Sequence, residues 1–169
     1  ARQLSLIESH LFQQISPKEC LGQAWNKKNK EERAPNIVEL TKRFNQVSNW
    51  VATEILREEK LAARAKVLKR FIKVAAACRE INSFNAVQEI VAALNSASVY
   101  RLKATWGQLK GKTEELWRRT QESLSKEANW KKFREVLAQC DPPCIPYLGI
   151  FLSDLTFIEE GNPDSIVME

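Results

Sequence analysis

The sequence predicts an all-α fold, and three observations support that prediction. Apolar residues recur at helical spacings of three and four almost throughout the 169 residues. Glycine (5 residues) and proline (6 residues) are scarce, so few hairpins or tight turns can be built. No segment of strand length alternates apolar and polar residues. A chain of this length suits one domain with a substantial core, so we expect a single, irregular multi-helix domain over residues 1–169.

Two helices are predicted near the start of the chain. An N-terminal helix is predicted by an apolar face made of Leu4, Ile7, Leu11 and Ile15. Ser16 and Pro17 then supply an N-cap and a first-turn proline for a short helix through Leu21. The polar stretch 26–35, NKKNKEERAP, is predicted to be a loop.

Two long apolar stripes predict the two main helices. The first begins at Asn36 and is defined by Ile37, Leu40, Phe44, Val47, Val51 and Ile55. The second ends near Ile81 and is defined by Leu61, Ala65, Leu68, Ile72 and Ala75. Each stripe covers one face of a helix of period 3.6, which is typical of a helix that packs on a core.

Shorter helices complete the prediction. One spans 84–94, one is capped by Ser98 and reaches about Trp106, and one spans roughly 110–124. Another is predicted from Trp130, Phe133, Val136, Leu137 and Cys140, before the Pro142-Pro143 pair. The last begins after Pro146 and contains Leu148, Phe151, Leu152, Leu155 and Ile158.

Composition narrows the classes of partner. The net charge is +5, but basic and acidic residues are interleaved, as in Lys27 to Arg33. This pattern favours a solvated mixed-charge surface over a nucleic-acid-binding face, so no nucleic-acid partner is expected. No apolar run approaches the roughly 20 residues of a membrane span, so no insertion into a membrane is expected. The cysteine usage does not indicate an oxidising compartment, and we expect a cytoplasmic protein.

Known catalytic and cofactor motifs are not matched. The four cysteines have no zinc spacing and the sole histidine, His10, is far from the Cys140 and Cys144 pair, so free thiols are favoured over a metal site. In GQLKGKT (107–113), three residues separate the first glycine from Gly-Lys-Thr, whereas a phosphate loop needs four. We therefore expect no cofactor, no metal and no covalent chemistry. The five tryptophans are expected in the core, with one or two left open as anchors of a binding face.

Two adjacent acids, Glu159 and Glu160, end the last apolar helix. Cations, not acids, stabilise the C-terminal end of a helix, because the helix dipole is negative there. Acids thus stand here at the helix end that favours cations. The pair is interpreted either as simply solvated or as serving something other than helix stability.

The block PPCIPYLGIFLSDLTFIEEGNPD (142–164) resembles the signature of the RasGEF catalytic domain of guanine-nucleotide exchange factors for Ras-family small GTPases. The resemblance extends over nearly the whole chain. Further similar blocks are residues 1–25, NIVELTKRFNQVSNWVATEIL (36–56), residues 64–106 and NWKKFREVLAQCDPPC (129–144). They occur in the order of the family.

The resemblance implies an all-helical domain that binds a GTPase and promotes release of GDP for loading of GTP. A helical hairpin projects from the domain and displaces one switch segment, while a mainly hydrophobic pocket grips the other. By motif, the last predicted helix is the first arm of this hairpin. Glu160 matches an acid that reaches the phosphate-binding region of the GTPase, and Thr156 matches the position that faces its Mg²⁺ site. The second arm and the closing helices of the family are expected to be absent from residues 1–169.

The resemblance also implies a set of GTPase-contacting residues. By motif these are Thr41, Lys42, Asn45, Leu94, Asn95, Ala97, Tyr100, Trp130 and Tyr147. Packing in the core is the alternative for Leu94, Trp130 and Tyr147. The implied partner is a Ras-family GTPase, with Ras favoured over Rap or Ral, reached at the membrane where the GTPase is anchored. The alternative function is a non-catalytic GTPase-binding or scaffold module of the same fold.

Overall fold

The structure, a computed structural model, describes residues 1–125 and 127–162. These residues form ten α-helices and two 3-10 helices and contain no strand, which confirms the all-α prediction. The α-helices are α1 Arg2–Gln13, α2 Lys30–Arg33, α3 Pro35–Leu56, α4 Leu61–Glu80, α5 Phe84–Leu94, α6 Ala97–Tyr100, α7 Lys103–Trp106, α8 Lys112–Ser123, α9 Glu127–Ala138 and α10 Leu148–Gly161. The 3-10 helices are Pro17–Cys20 and Ala24–Asn26. The end of the quoted signature, residues 163–164, lies outside the described residues.

The main core surrounds α5, which is buried at ten of its eleven residues. Helices α3 and α4 pack against it, and α8 packs against α4. The C-terminal part of the apolar stripe predicted for α3 faces this core, with Val47, Val51 and Ile55 buried, while α4 contributes Leu68 and Ile72. A helix that is buried on nearly all sides, such as α5, needs neighbours on each of those sides.

A second, smaller cluster lies under the two 3-10 helices. Its buried members are Ala24, Ala34 and Ile37. Leu148 and Leu152 of α10 pack against it, so the first turns of α10 cover this cluster. This cluster therefore joins the N-terminal segment to the last helix, which are remote in sequence.

The structure corrects three of the predicted elements. The stretch 26–35 contains the one-turn helix α2, with Glu31 and Glu32 in its first turn, where acids suit the helix dipole. The predicted helix 98–106 is two short helices, α6 and α7, and the N-cap of α6 is Ser96, not Ser98. In α9 the backbone of residues 128–130 is left-handed, with φ between 49° and 62°, so regular helix begins after Trp130.

No described helix is both long and apolar enough to cross a membrane.

Two carboxyl groups, Glu8 of α1 and Glu89 of α5, are buried together in the core. Glu8 is 1% exposed and Glu89 is 0% exposed. The Ser83 hydroxyl donates to Glu8 at 3.5 Å, the Asn85 amide donates to Glu89 at 3.3 Å, and the Arg43 guanidinium is the nearby positive charge. One oxygen of each carboxyl group lacks a donor among the described residues unless a proton is shared between them. Burial, followed by the hydrogen bond and charge of Glu8, raises the pKa of Glu89 to about 10.

Because the pKa of Glu89 is raised in the folded state, its contribution to stability is fully present below its ordinary pKa of about 4.5 and is lost as pH rises toward 10. We expect the free energy of unfolding to fall as pH rises between these values. In a Glu89→Gln variant, which keeps the shape of the protonated acid, the fall should be much smaller. Urea unfolding at pH 5, 7 and 9 measures both slopes. Equal slopes in the two proteins would contradict the buried proton.

Glu19 connects the first 3-10 helix to the start of α3. Its carboxylate accepts hydrogen bonds from the backbone N–H of Asn36 at 2.8 Å and of Ile37 at 3.2 Å, and from the Asn36 amide at 2.8 Å. It also accepts the N–H of Ser16 at 3.0 Å. These contacts satisfy first-turn N–H groups that a helix cannot satisfy itself. Burial alone would raise the pKa of Glu19, but the hydrogen bonds outweigh it and lower the pKa below its ordinary value.

Because the pKa of Glu19 is lowered and that of Glu89 is raised, the two residues have opposite effects on how stability depends on pH. The contribution of Glu19 is present above its ordinary pKa of about 4.5 and is lost as pH falls through the lowered folded value. We expect Glu19→Gln to cost about 1.5–3 kcal/mol at pH 7, the value of charge-assisted hydrogen bonds. The cost should shrink toward pH 3. Urea unfolding at both pH values tests this, and a cost that does not change with pH would contradict it.

Candidate functional site

A groove of about 730 Å³ runs between the outer face of α3, the 3-10 segment and the start of α10. Its walls include Trp25 and Asn26 from the second 3-10 helix and Leu148, Gly149 and Leu152 from α10. The groove is therefore built on the smaller hydrophobic cluster, which holds its two walls together.

Three of the predicted binding residues, Thr41, Lys42 and Asn45, line this groove from the exposed face of α3. The Thr41 hydroxyl donates to the carbonyl of Ile37 at 2.8 Å. The Lys42 ammonium lies 3.7 Å from the carboxylate of Glu39 in an exposed pair, which holds the lysine only weakly. Lys42 therefore remains available to a partner that carries negative charge.

Tyr147 closes one side of the groove. Its ring centroid lies 5.7 Å from that of Phe44 and 5.7 Å from that of Trp130, so the predicted pair Tyr147 and Trp130 is brought together. The phenol folds over Gly149, where an added Cβ would lie 2.5 Å from the Tyr147 hydroxyl oxygen. Burial raises the pKa of Tyr147 above its usual value, so it stays neutral at physiological pH.

The other predicted contacts do not line the groove. Leu94 is fully buried and packs in the main core, in agreement with the alternative that it serves core packing. Asn95, Ala97 and Tyr100 are exposed at the junction of α5 and α6. There the side-chain oxygen of Asn95 accepts from the side-chain amide of Gln121 at 3.4 Å, and the Lys103 ammonium lies 3.9 Å from the centre of the Tyr100 ring. These three residues form a separate edge, so the predicted set falls into two surfaces.

The two adjacent acids of α10 have different surroundings. Glu159 accepts a hydrogen bond from the backbone N–H of Gly22 at 2.7 Å. Glu160 is exposed, and its carboxylate has no hydrogen bond or ion pair with any residue of 1–125 or 127–162. Thr156, whose hydroxyl donates to the carbonyl of Leu152 at 2.9 Å, lies four residues before Glu160 and so on the same helix face. The interpretation of the acids as a simply solvated pair is wrong for Glu159.

A bidentate ion pair holds the middle of α10. Two guanidinium nitrogens of Arg134 donate to the two carboxylate oxygens of Asp154, each at 2.8 Å. The bond to Asp154 raises the pKa of Arg134 further. Paired, planar contacts of this kind fix orientation as well as distance, so α9 sets the direction of α10.

Some residues that line the groove were not predicted from the sequence. Gln46 and Asn49 line the groove from α3, and Asn85 lines it from α5. Asn49 follows Asn45 by four residues, so a polar row opposite the apolar stripe was the available signal. Nothing in the sequence marks Asn85, Gly22 or Arg134, because their roles depend on residues remote in the chain.

The histidine, cysteine and acidic side chains bear on whether the described residues could hold a metal ion or supply a thiolate. No group of three or more histidine, cysteine or acidic side chains converges within them to hold a metal ion. The four cysteines are free thiols. Burial raises the pKa of the Cys78 thiol to about 11, so it is not a thiolate nucleophile at neutral pH.

Similarity to known proteins extends over the whole chain. The family model for the RasGEF domain matches residues 1–169. The chain is 56% identical over 165 residues to Ras guanine nucleotide exchange factor E of Dictyostelium discoideum, a match that covers 95% of this chain and 16% of that protein. It is 43% identical over 164 residues to Ras-specific guanine nucleotide-releasing factor 1 of Rattus norvegicus, covering 97% of this chain and 13% of that protein.

A third relative, Ras guanine nucleotide exchange factor J of Dictyostelium discoideum, is 45% identical over 167 residues, which cover 98% of this chain and 21% of that protein. The chain thus spans about a fifth or less of the length of these relatives. On the match of the family model over its full length, and on these identities, the chain belongs to the RasGEF domain family.

Proposed function

We propose that this domain is a guanine-nucleotide exchange factor for a Ras-like small GTPase, with Ras favoured over Rap or Ral. The observation that carries the proposal is the exposed carboxylate of Glu160, which pairs with no residue in the described part of the chain and lies on a helix anchored to the domain at several points. The names of the relatives, which are exchange or releasing factors for Ras, agree with this function.

The physical task is to weaken the hold of the GTPase on its nucleotide. That hold comes from backbone N–H groups, a lysine and Mg²⁺ around the phosphates. A carboxylate placed near these groups accepts their hydrogen bonds and pairs with the lysine in place of phosphate. Glu160 takes this role, and Thr156 on the same face lies toward the Mg²⁺ site. No covalent bond forms or breaks.

Binding and release are linked by thermodynamics. An exchange factor lowers the affinity for nucleotide by the same factor by which nucleotide lowers the affinity for the factor. The domain must therefore bind the nucleotide-free GTPase more tightly than the loaded one. The groove beside α3 supplies that affinity, with Thr41, Lys42, Asn45 and Tyr147 as contacts, and Asn95, Ala97 and Tyr100 form a second contact edge. Helix α10 acts as the first arm of a helical hairpin, and the encounter takes place at the membrane that anchors the GTPase.

Replacing Glu160 by alanine in the intact protein should slow nucleotide release about ten- to a hundred-fold. This range follows from losing one charge-assisted hydrogen bond of about 1.5–3 kcal/mol at about 1.4 kcal/mol per factor of ten. Release of a fluorescent guanine nucleotide from Ras, Rap and Ral measures the rate, and the panel also ranks the three partners.

The matched control is Glu114→Ala, which removes an exposed acid from α8, outside both proposed contact surfaces. It should leave the rate unchanged. An unaltered rate in folded Glu160→Ala would remove this residue from the mechanism. If the wild-type protein binds nucleotide-free GTPase without accelerating release, the domain is instead a non-catalytic binding module.

Reversing the charge of Lys42 should weaken association with the GTPase. In Lys42→Glu we expect a higher half-saturating GTPase concentration with little change in the maximal release rate, and an effect that shrinks as salt is raised. Release rates titrated with GTPase at about 50 and 300 mM salt measure this. Lys66→Glu, on the exposed side of α4, is the control for net charge. Equal effects of the two variants would contradict a specific role for Lys42.

A further inference from the structure

We propose that Glu159 is a positioning residue, which fixes the tip of α10 by accepting the Gly22 N–H and thereby directs the neighbouring Glu160. The proposal rests on the proposed function of Glu160 but concerns a different side chain and a different contact. The two bonded groups are 137 residues apart in sequence and 2.7 Å apart in space.

Among residues 1–125 and 127–162, the contact with Gly22 is the main one that holds the tip of α10. Its start packs against the smaller cluster through the partly buried Leu148 and Leu152, and its middle is held by the pair of Arg134 with Asp154. Beyond that point Phe157 and Ile158 are 69% and 58% exposed. Glu160 lies six positions after Asp154, which is about 9 Å along the helix. A short helical segment without packing frays in water, so a tether at Glu159 is needed.

The local backbone conformation exposes the donor, the N–H of Gly22, to α10. Gly22 has φ +58° and Gln23 has φ 50°, so two successive residues adopt the left-handed conformation between the 3-10 helices. Glycine adopts this conformation without the steric cost of a Cβ. The turn thus leaves the Gly22 N–H free of the neighbouring 3-10 hydrogen bonds and available to the Glu159 carboxylate.

Helix geometry links the orientation of the two acids. Successive residues are rotated by about 100° around the axis. Leu148, Leu152 and Glu159 therefore share the side that faces the 3-10 segment, whereas Glu160 is rotated by about 100° from Glu159. Thr156 lies between Leu152 and Glu160 around the helix, four residues from each. When Glu159 holds Gly22, Glu160 must point off the body of the domain. Release of Glu159 would free both the tilt and the rotation of this last turn.

Two substitutions in the intact protein separate the contact from the charge. Glu159→Ala removes the acceptor, whereas Glu159→Gln keeps an oxygen that can accept the Gly22 N–H and removes the charge. We expect Glu159→Ala to lower the maximal release rate about ten-fold, the equivalent of one charge-assisted hydrogen bond. Glu159→Gln should recover most of that loss. The half-saturating GTPase concentration and the thermal unfolding midpoint should change little, which separates positioning from general loss of structure.

A double-mutant cycle tests whether Glu159 acts through Glu160. If it does, Glu159→Ala has almost no further effect in a Glu160→Ala background. Independent, multiplying effects would overturn the proposal, and so would a Glu159→Gln variant as slow as Glu159→Ala.

Hydrogen exchange at the Gly22 amide reads the contact without any GTPase. Exchange should be faster in Glu159→Ala and near the wild-type rate in Glu159→Gln; equal rates in all three proteins would refute the contact itself. This readout also separates the two failures. A wild-type protein that accelerates no release contradicts the proposed function, whereas an active wild type with an unaffected Glu159→Ala contradicts only the positioning role.

Discussion

The site depends on the seating of α10 across two hydrophobic clusters. Ile150 points into the main core, while Leu148 and Leu152 cover the smaller cluster under the 3-10 helices. Full burial of a side chain of this size, as at Ile150, contributes about 1.5–3 kcal/mol, which is more than an exposed ion pair contributes. Because both sides of its first turns are occupied, α10 has one position on the domain. The groove wall and the tyrosine over Gly149 follow from that position, and the contact of Glu159 with Gly22 then orients the tip of the helix.

Polar contacts then fix more closely the positions of helices that hydrophobic burial has brought together. Glu19 joins the first 3-10 helix to α3, Asp154 joins α10 to α9, and Glu159 joins its tip to Gly22. Each is a carboxylate that accepts from groups remote in sequence. A hydrogen bond has a narrow range of distance and angle, whereas apolar packing tolerates small displacements. In this domain the acids therefore determine the exact placement of elements that hydrophobic burial has already brought together.

Much of the fold could be predicted from periodicity alone, since an apolar stripe of helical spacing must be buried to be stable. The stripes of α3 and α4 and the apolar run of α5 were visible in this way. The boundaries of short elements were not, because one-turn helices such as α2 and α6 have little pattern and depend on neighbours. Resemblance to the family indicated the groove residues Lys42 and Tyr147. It also implied that Leu94 contacts the GTPase, whereas the structure buries Leu94 in the main core.

The sequence by itself determined the helical class, the main core and the presence of two acids at a helix end that does not favour them. It could not tell the two acids apart. Only the tertiary structure decided that Glu159 faces the body and Glu160 faces away. The physical reason is that each role depends on a donor supplied from elsewhere: the Gly22 N–H, 137 residues earlier, engages one carboxylate, and no described residue engages the other.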